Sequence, residues 1–260
     1  MYETILYELT NGILTITLNR PESYNACNEQ LTTDLQTALK SAEKDNSVRV
    51  IILTGSGKAF CSGQDLKDAP SGGGKRSLRD SLERRYNPII KKLTTLPKPI
   101  ICAINGVAAG AGCSIALACD IKIASENAYL LQAFVNIGLV PDSGSSYFLT
   151  KTIGYTKAFE IATIGDKLPA LKALDLGLIN DVVPIEKLME TALKYAIPYS
   201  TGPTKAYGYI KKMLRGVENS SLEAALDYEV YMQEAAGRTE DYFEGVNSFV
   251  EKREPNFLGK

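Results

Sequence analysis

The chain contains no histidine and no tryptophan among its 260 residues. Without an imidazole there is no Ser-His-Asp or Cys-His catalysis and no imidazole-ligated zinc, and no metal site is expected. Any catalytic group must be a carboxylate, a tyrosine, a lysine, a cysteine or a backbone amide. Cysteines are few: Cys27, Cys61, Cys102, Cys113 and Cys119 are odd in number and contain no C-x-x-C pair, which points to reduced core residues. An excess of charge is also lacking. With 29 Lys and Arg against 30 Asp and Glu, the net charge is −1, so no basic field is available for a nucleic-acid partner. Apolar runs such as residues 100–109 fall well short of the roughly 20 residues of a membrane helix, so no membrane association is expected. The opening residues carry neither a basic nor an apolar leader segment, and the cytoplasm is the expected location.

What is present suits one large core, since 45% of the residues are hydrophobic. Residues 3–9 and 13–18 alternate apolar and polar side chains around Asn11-Gly12, a strong hairpin signal. Leu31, Leu35 and Leu39 recur at helical spacing across residues 29–43, and residues 48–53 then read as a buried strand. The run Ser71-Gly-Gly-Gly74 is a flexible break, followed by a charged helix over residues 77–95 that Pro97 and Pro99 stop. Residues 100–104 form a buried strand, 108–118 a helix of small residues, and 120–124 a further strand. This alternation predicts an α/β fold with at least partly parallel sheets. Beyond Gly144 strands thin out, and helices are expected over 145–153, 156–163, 185–198, 203–215, 220–235 and 239–250.

Three segments can hold chemistry. In Lys58-Ala-Phe-Cys-Ser-Gly-Gln-Asp-Leu66, a turn of small residues lets backbone N–H groups approach a ligand. In Asn105-Gly-Val-Ala-Ala-Gly-Ala-Gly-Cys-Ser114, a strand feeds a helix whose first N–H groups are unpaired. In Asn136-Ile-Gly-Leu-Val-Pro-Asp-Ser-Gly-Ser145, Asp142 precedes a helix and is either its N-cap or a general base; a cap holds the carboxyl pKa down, whereas a base for a carbon acid gains from desolvation. Composition leaves both roles open. Tyr86 and Tyr147 can touch substrate but suit packing better, and Cys61 and Cys113 lack a basic partner that would make them nucleophiles.

Taken in this order, together with Leu18-Asn-Arg-Pro21, Asn25-Ala26 and the ending Phe249-Val-Glu-Lys-Arg-Glu-Pro-Asn-Phe257, the segments resemble the crotonase (enoyl-CoA hydratase/isomerase) superfamily over almost the whole chain. The resemblance implies a crotonase spiral of ββα units spanning residues 1–200. It adds a C-terminal helical region, residues 201–260, that drives assembly into a homotrimer or a hexamer. An acyl-CoA thioester would be the substrate, with coenzyme A part of it and no separate cofactor. The oxyanion hole would be the backbone amides of Gln64 and Ala111. Ligand contacts would come from Arg20, Asn25, Ala26, Ser62, Asp65, Leu66, Gly110, Ser114 and Phe134.

The departures from the family pattern carry more information than the matches. Hydratases of this family use two glutamates, and their positions here are Ser114 and Phe134. One carboxylate remains, Asp142, in a Val-Pro-Asp-Ser-Gly run similar to that of ring-1,2-epoxyphenylacetyl-CoA isomerases, where family isomerases of another kind carry Glu. The expected activity is therefore a 3-enoyl-CoA to 2-enoyl-CoA isomerase with Asp142 as acid and base, extending to the ring-epoxide rearrangement. The alternatives are a hydratase that recruits Asp68, Asp80 or Glu83, and a non-catalytic acyl-CoA-binding protein.

Overall fold

The computed structural model describes residues 2–68, 77–217 and 220–260. The glycine run at residues 71–74 lies outside the described residues. Strands β1 (Ile5–Thr10) and β2 (Ile13–Leu18) form the expected hairpin, with Asn11 at φ 51° and Gly12 at φ 79°, the left-handed pair that a tight primed turn demands. Helix α1 (Glu29–Lys44) starts at Asn28, whose side chain accepts the Leu31 N–H at 2.8 Å. It buries Leu31, Leu35, Ala38, Leu39 and Ala42, one stripe at helical spacing.

Strands β3 (Val50–Gly55), β5 (Ile100–Ile104) and β7 (Ile121–Ser125) pair in parallel with β2 and with one another. The continuous apolar runs of β3 and β5 follow from burial on both faces. Val50, Ile52, Ile101 and Ala103 point to α7 (Leu188–Thr201), where Leu188, Ala192 and Ala196 meet them. The alternate residues Ile51, Leu53, Ile100, Cys102 and Ile104 join the larger core with α1. Strand β10 (Asp181–Val183) closes this six-stranded sheet beside β7.

A second sheet, absent from the pattern-based expectation, is built from β4 (Ala59–Cys61), β6 (Val107–Ala109), β8 (Tyr129–Leu131) and β9 (Lys167–Pro169). After the β1–β2 hairpin, the successive pairs β3–β4, β5–β6 and β7–β8 each give one strand to each sheet before a helix, which is the ββα spiral that the resemblance implied. Residues 108–109, expected to be helical, are strand, and α4 (Ala111–Ala118) begins only after Gly110. The helix expected over residues 77–95 is α2 (Leu78–Ser81), a π-helical turn (Leu82–Tyr86) and α3 (Asn87–Thr95). The two helices expected over 145–163 are both present within α5 (Ser145–Ile164), which is broken at Gly154 by a non-helical φ of 74° and ψ of 166°, whereas α6 (Ala170–Asp175) was missed altogether.

Helices α8 (Thr204–Gly216), α9 (Leu222–Ala236) and α10 (Glu240–Glu251) complete the chain. Helix α8 is docked by Lys211, whose ammonium meets Asp120 at 2.7 Å and the Leu93 carbonyl at 2.8 Å, and by Arg215, which donates to the Ala118 carbonyl at 3.0 Å. Among the described residues no helix is long and apolar enough to cross a membrane.

Helix α4 packs on β4 of the second sheet where a side chain is missing. A Cβ on Gly112 would stand 2.2 Å from the Cys61 carbonyl oxygen. Gly112→Ala should therefore lower folding stability by about 1–3 kcal/mol or more, because backbone rather than a flexible side chain must yield. Chemical denaturation checks this, and an unchanged midpoint would show that α4 and β4 move apart at no cost.

Candidate active site

The first turn runs off β4. Cys27 donates its N–H to the Gly63 carbonyl at 2.7 Å, and Asp65 donates to the Cys27 carbonyl at 3.1 Å. These two bonds flank Gln64 as an isolated parallel bridge to Cys27. Because backbone groups alternate in an extended segment, the Gln64 N–H faces away from Cys27. The second turn is the start of α4, where Ala111 is the first helical residue and has no intrahelical acceptor for its N–H. Gly63, at φ +95°, brings the two turns together: a Cβ there would lie 2.8 Å from the Ala109 carbonyl oxygen and 3.5 Å from the Ala111 nitrogen. The two turns thus stand side by side, and among the described residues neither the Gln64 N–H nor the Ala111 N–H has a backbone acceptor.

Asp142 stands on the turn before α5. It is not the helix cap, since Gly144 occupies that position at φ +82° and Ser143 is itself left-handed at φ +52°. Two consecutive left-handed residues throw the Asp142 side chain off the helix axis, a strained arrangement of the kind held at functional sites. Burial lifts its carboxyl pKa above the ordinary value, against the Ser143 hydroxyl that donates to it at 2.7 Å. Of the two roles the sequence left open, the helix cap is therefore excluded.

The positions at which hydratases hold glutamates contain no carboxylate. Phe134 is buried and its ring lies 3.9 Å from the Cβ position of Gly110. Ser114 is fully buried, its hydroxyl bonded to the Asp142 carbonyl oxygen at 3.1 Å and to Ser145 Oγ at 2.8 Å. The expected ligand contact from Ser114 is therefore corrected: its hydroxyl is engaged inside the protein and supports the Asp142 turn. Gln132, in the otherwise apolar run before Phe134, donates to Ser145 Oγ at 3.1 Å and to Cys113 Sγ at 3.3 Å. Neither Gln132 nor Ser145 was foreseen, although a glutamine among Leu130, Leu131 and Phe134 was the available signal.

Around the first turn, the expected coenzyme A contacts divide. The Arg20 guanidinium is ion-paired with Asp65 at 3.0 Å and donates to the Ala26 carbonyl. Burial acts to raise the Asp65 carboxyl, but the Arg20 bond and the Lys67 N–H outweigh it and hold the group below its ordinary value. The Asn25 amide is buried and donates to the carbonyls of Ser56 and Ala59 at 2.9 and 2.8 Å, so this side chain is structural. Ser62 donates to the Ser23 carbonyl at 3.4 Å. Leu66, 76% exposed, is the side chain here with room to meet a ligand.

Tyr86 ends the π-helical turn with its ring 2% exposed and its hydroxyl without a partner among the described residues. Burial pushes its pKa far up, so it remains protonated. Tyr147 points outward, edge-on to Phe148. Cys113 is pushed up to about 12 by burial, and Cys27 is raised by its 3.5 Å contact with the Cys61 thiol and by burial. Neither thiol is a nucleophile at neutral pH.

Comparison with known proteins agrees with this construction. The profile of the Enoyl-CoA hydratase/isomerase family matches residues 8–260. The chain is 43% identical over 263 residues to the 1,2-epoxyphenylacetyl-CoA isomerase of Escherichia coli strain K12, covering 100% of each. It is 35% identical to the trans-2-decenoyl-[acyl-carrier-protein] isomerase of Streptococcus mutans, covering 100% of this chain and 99% of that one. It is 33% identical to the 2,3-dehydroadipyl-CoA hydratase of Escherichia coli strain K12, covering 95% and 96%. The crystal structure of an enoyl-CoA hydratase from Bacillus anthracis superposes with a TM-score of 0.94 at 32% identity, over 99% of this chain and 100% of that one. With its ββα spiral and a family match over nearly its full length, this chain belongs to the enoyl-CoA hydratase/isomerase (crotonase) family.

Proposed function

We propose that this enzyme is an acyl-CoA isomerase that moves a double bond from 3-enoyl-CoA to 2-enoyl-CoA, with Asp142 as its acid and base. The carrying observation is a carboxyl of raised pKa on a turn bonded to Ser114 of α4, the helix that begins at Ala111, with Ser114 and Phe134 where a hydratase holds acids. Asp142 takes a proton from C2. The electron pair of the broken C–H bond spreads through the thioester and the C3–C4 double bond, and the N–H groups of Gln64 and Ala111 bond the oxygen as its charge grows. One such donor is worth about 10² to 10³ in rate. The protonated Asp142 then returns the proton at C4, leaving the double bond between C2 and C3. The base of the first step is the acid of the second, so the cycle closes without water or a separate cofactor.

The ring-1,2-epoxyphenylacetyl thioester is a second substrate on this reading, supported by 43% identity to a 1,2-epoxyphenylacetyl-CoA isomerase. A hydratase relying on other acids is less well supported. Asp68 is paired with Arg85 at 3.4 Å and accepts the Glu29 N–H at 3.0 Å, Glu83 pairs with Arg79 at 2.9 Å, and Asp80 lies on the surface. The acting assembly is proposed to be a homotrimer or hexamer in the cytoplasm, because α9 and α10 leave apolar side chains such as Tyr231 at 71% and Phe249 at 85% exposure. Sedimentation should give that assembly, and a monomer at micromolar concentration would refute it.

The isomerase is tested by the ultraviolet absorbance of conjugated product from 3-hexenoyl-CoA, alongside hydration of crotonyl-CoA. Wild type should conjugate the substrate with little hydration, and Asp142→Asn should lose about 10³-fold in kcat/KM. A variant as active as wild type would remove Asp142 from the mechanism. The pH profile adds an independent check, because the base works only as the carboxylate. Activity should be present at neutral pH and lost as pH falls through a midpoint above the ordinary aspartate value of about 3.9. A midpoint at or below that value would exclude burial as the source of the basicity.

A further inference from the structure

We infer that Gln132, Ser145 and Ser114 form a directed hydrogen-bond chain that holds Asp142 against the oxyanion helix, making all three positioning residues for the reaction. This rests on the reading of Asp142 as the base. Ser114 lies on the first turn of α4, the helix that supplies the Ala111 amide. Its hydroxyl has one proton, which lies between the Gly110 carbonyl at 3.3 Å and the Asp142 carbonyl at 3.1 Å. The Asp142 carbonyl also accepts the Ser145 N–H at 3.0 Å, so the residue is gripped from both sides at the backbone atom next to its side chain.

The proton inventory gives the chain its direction. With the Ser114 proton committed to Asp142, the 2.8 Å contact between the two hydroxyls must be donated by Ser145. Ser145 Oγ then accepts from Gln132 Nε2 at 3.1 Å, and the second Nε2 proton goes to Cys113 Sγ at 3.3 Å. Reversing the Gln132 carboxamide would make Ser145 donate to it and Ser114 donate to Ser145, which would release Asp142. The orientation that grips Asp142 leaves Gln132 Oε1 buried without a partner among the described residues. An unpaired buried oxygen is a cost, and its persistence here marks a feature kept for a reason other than stability. Ser114, Ser145 and Gln132 are all at or below 1% exposure, so they act through Asp142 and do not touch substrate.

The experiment compares Ser114→Ala, Gln132→Met and the double variant on 3-hexenoyl-CoA, with the dissociation constant of saturated hexanoyl-CoA as the binding readout. Each single variant should lower kcat about 10- to 100-fold, as loss of alignment does, with KM and the dissociation constant within about twofold of wild type. The double variant should be no slower than the slower single, because both break one chain. Undiminished kcat in both singles, losses that multiply, or weakened binding in step with kcat would each overturn the chain. If Asp142→Asn keeps wild-type turnover, the failure belongs to the assignment of the base and takes this inference with it. If Asp142→Asn is inactive and the network variants are fully active, only the network fails.

Discussion

Everything in the site depends on how closely two backbone turns can approach. Gly63 and Gly112 face the Ala109 and Cys61 carbonyls at distances that would not admit a single methyl group. The first contact brings the Gln64 turn up to the start of α4, and the second seats that helix on β4, so a single seam between β4, β6 and α4 fixes both turns. The amides are left unpaired because each lies where regular structure ends, one at the outer edge of a lone bridge and one at a helix start.

Around this seam the polar groups divide into those that face the reacting atoms and those that hold them. Arg20 and Asp65 neutralise each other and clamp the loop before α1 to the first turn. Asn25 pins the same loop to carbonyls near β3 and β4. Asp142 differs in the balance, since its burial is opposed by one neighbouring hydroxyl and its carboxyl is raised, whereas the Arg20 and Lys67 bonds outweigh burial at Asp65. A carboxyl in such surroundings is a stronger base than one in water.

Five strands of the first sheet were legible in the sequence because they are five or six residues long and bounded by clear signals, such as Asn11-Gly12 and the prolines before β5, while the three-residue β10 was not. The second sheet was not, because three-residue strands such as β4 and β8 fall below the length at which period-two alternation can be counted. Both turns were visible singly as glycine patterns, but their meeting was inferred only through resemblance to a family. The buried chain through Gln132 and Ser145 was invisible, since it joins residues 13 to 31 positions apart through side chains alone. The N-cap ambiguity at Asp142 needed backbone angles to resolve, because Ser143 and Gly144 permit either arrangement until their φ values are known.

Both sheets are finished by strands that come late in the chain: β9 pairs with β8 and β10 with β7, after the twenty-residue helix α5 has intervened. During synthesis from the N-terminus, β7 and β8 are therefore made with open edges and stay unpaired on that side until residues 167–183 have emerged. An open strand edge is a template for pairing with another chain. The nascent polypeptide is thus most exposed to misassociation over the interval in which α5 is being made, and a ribosome pause there would lengthen the exposure without altering any contact in the finished protein.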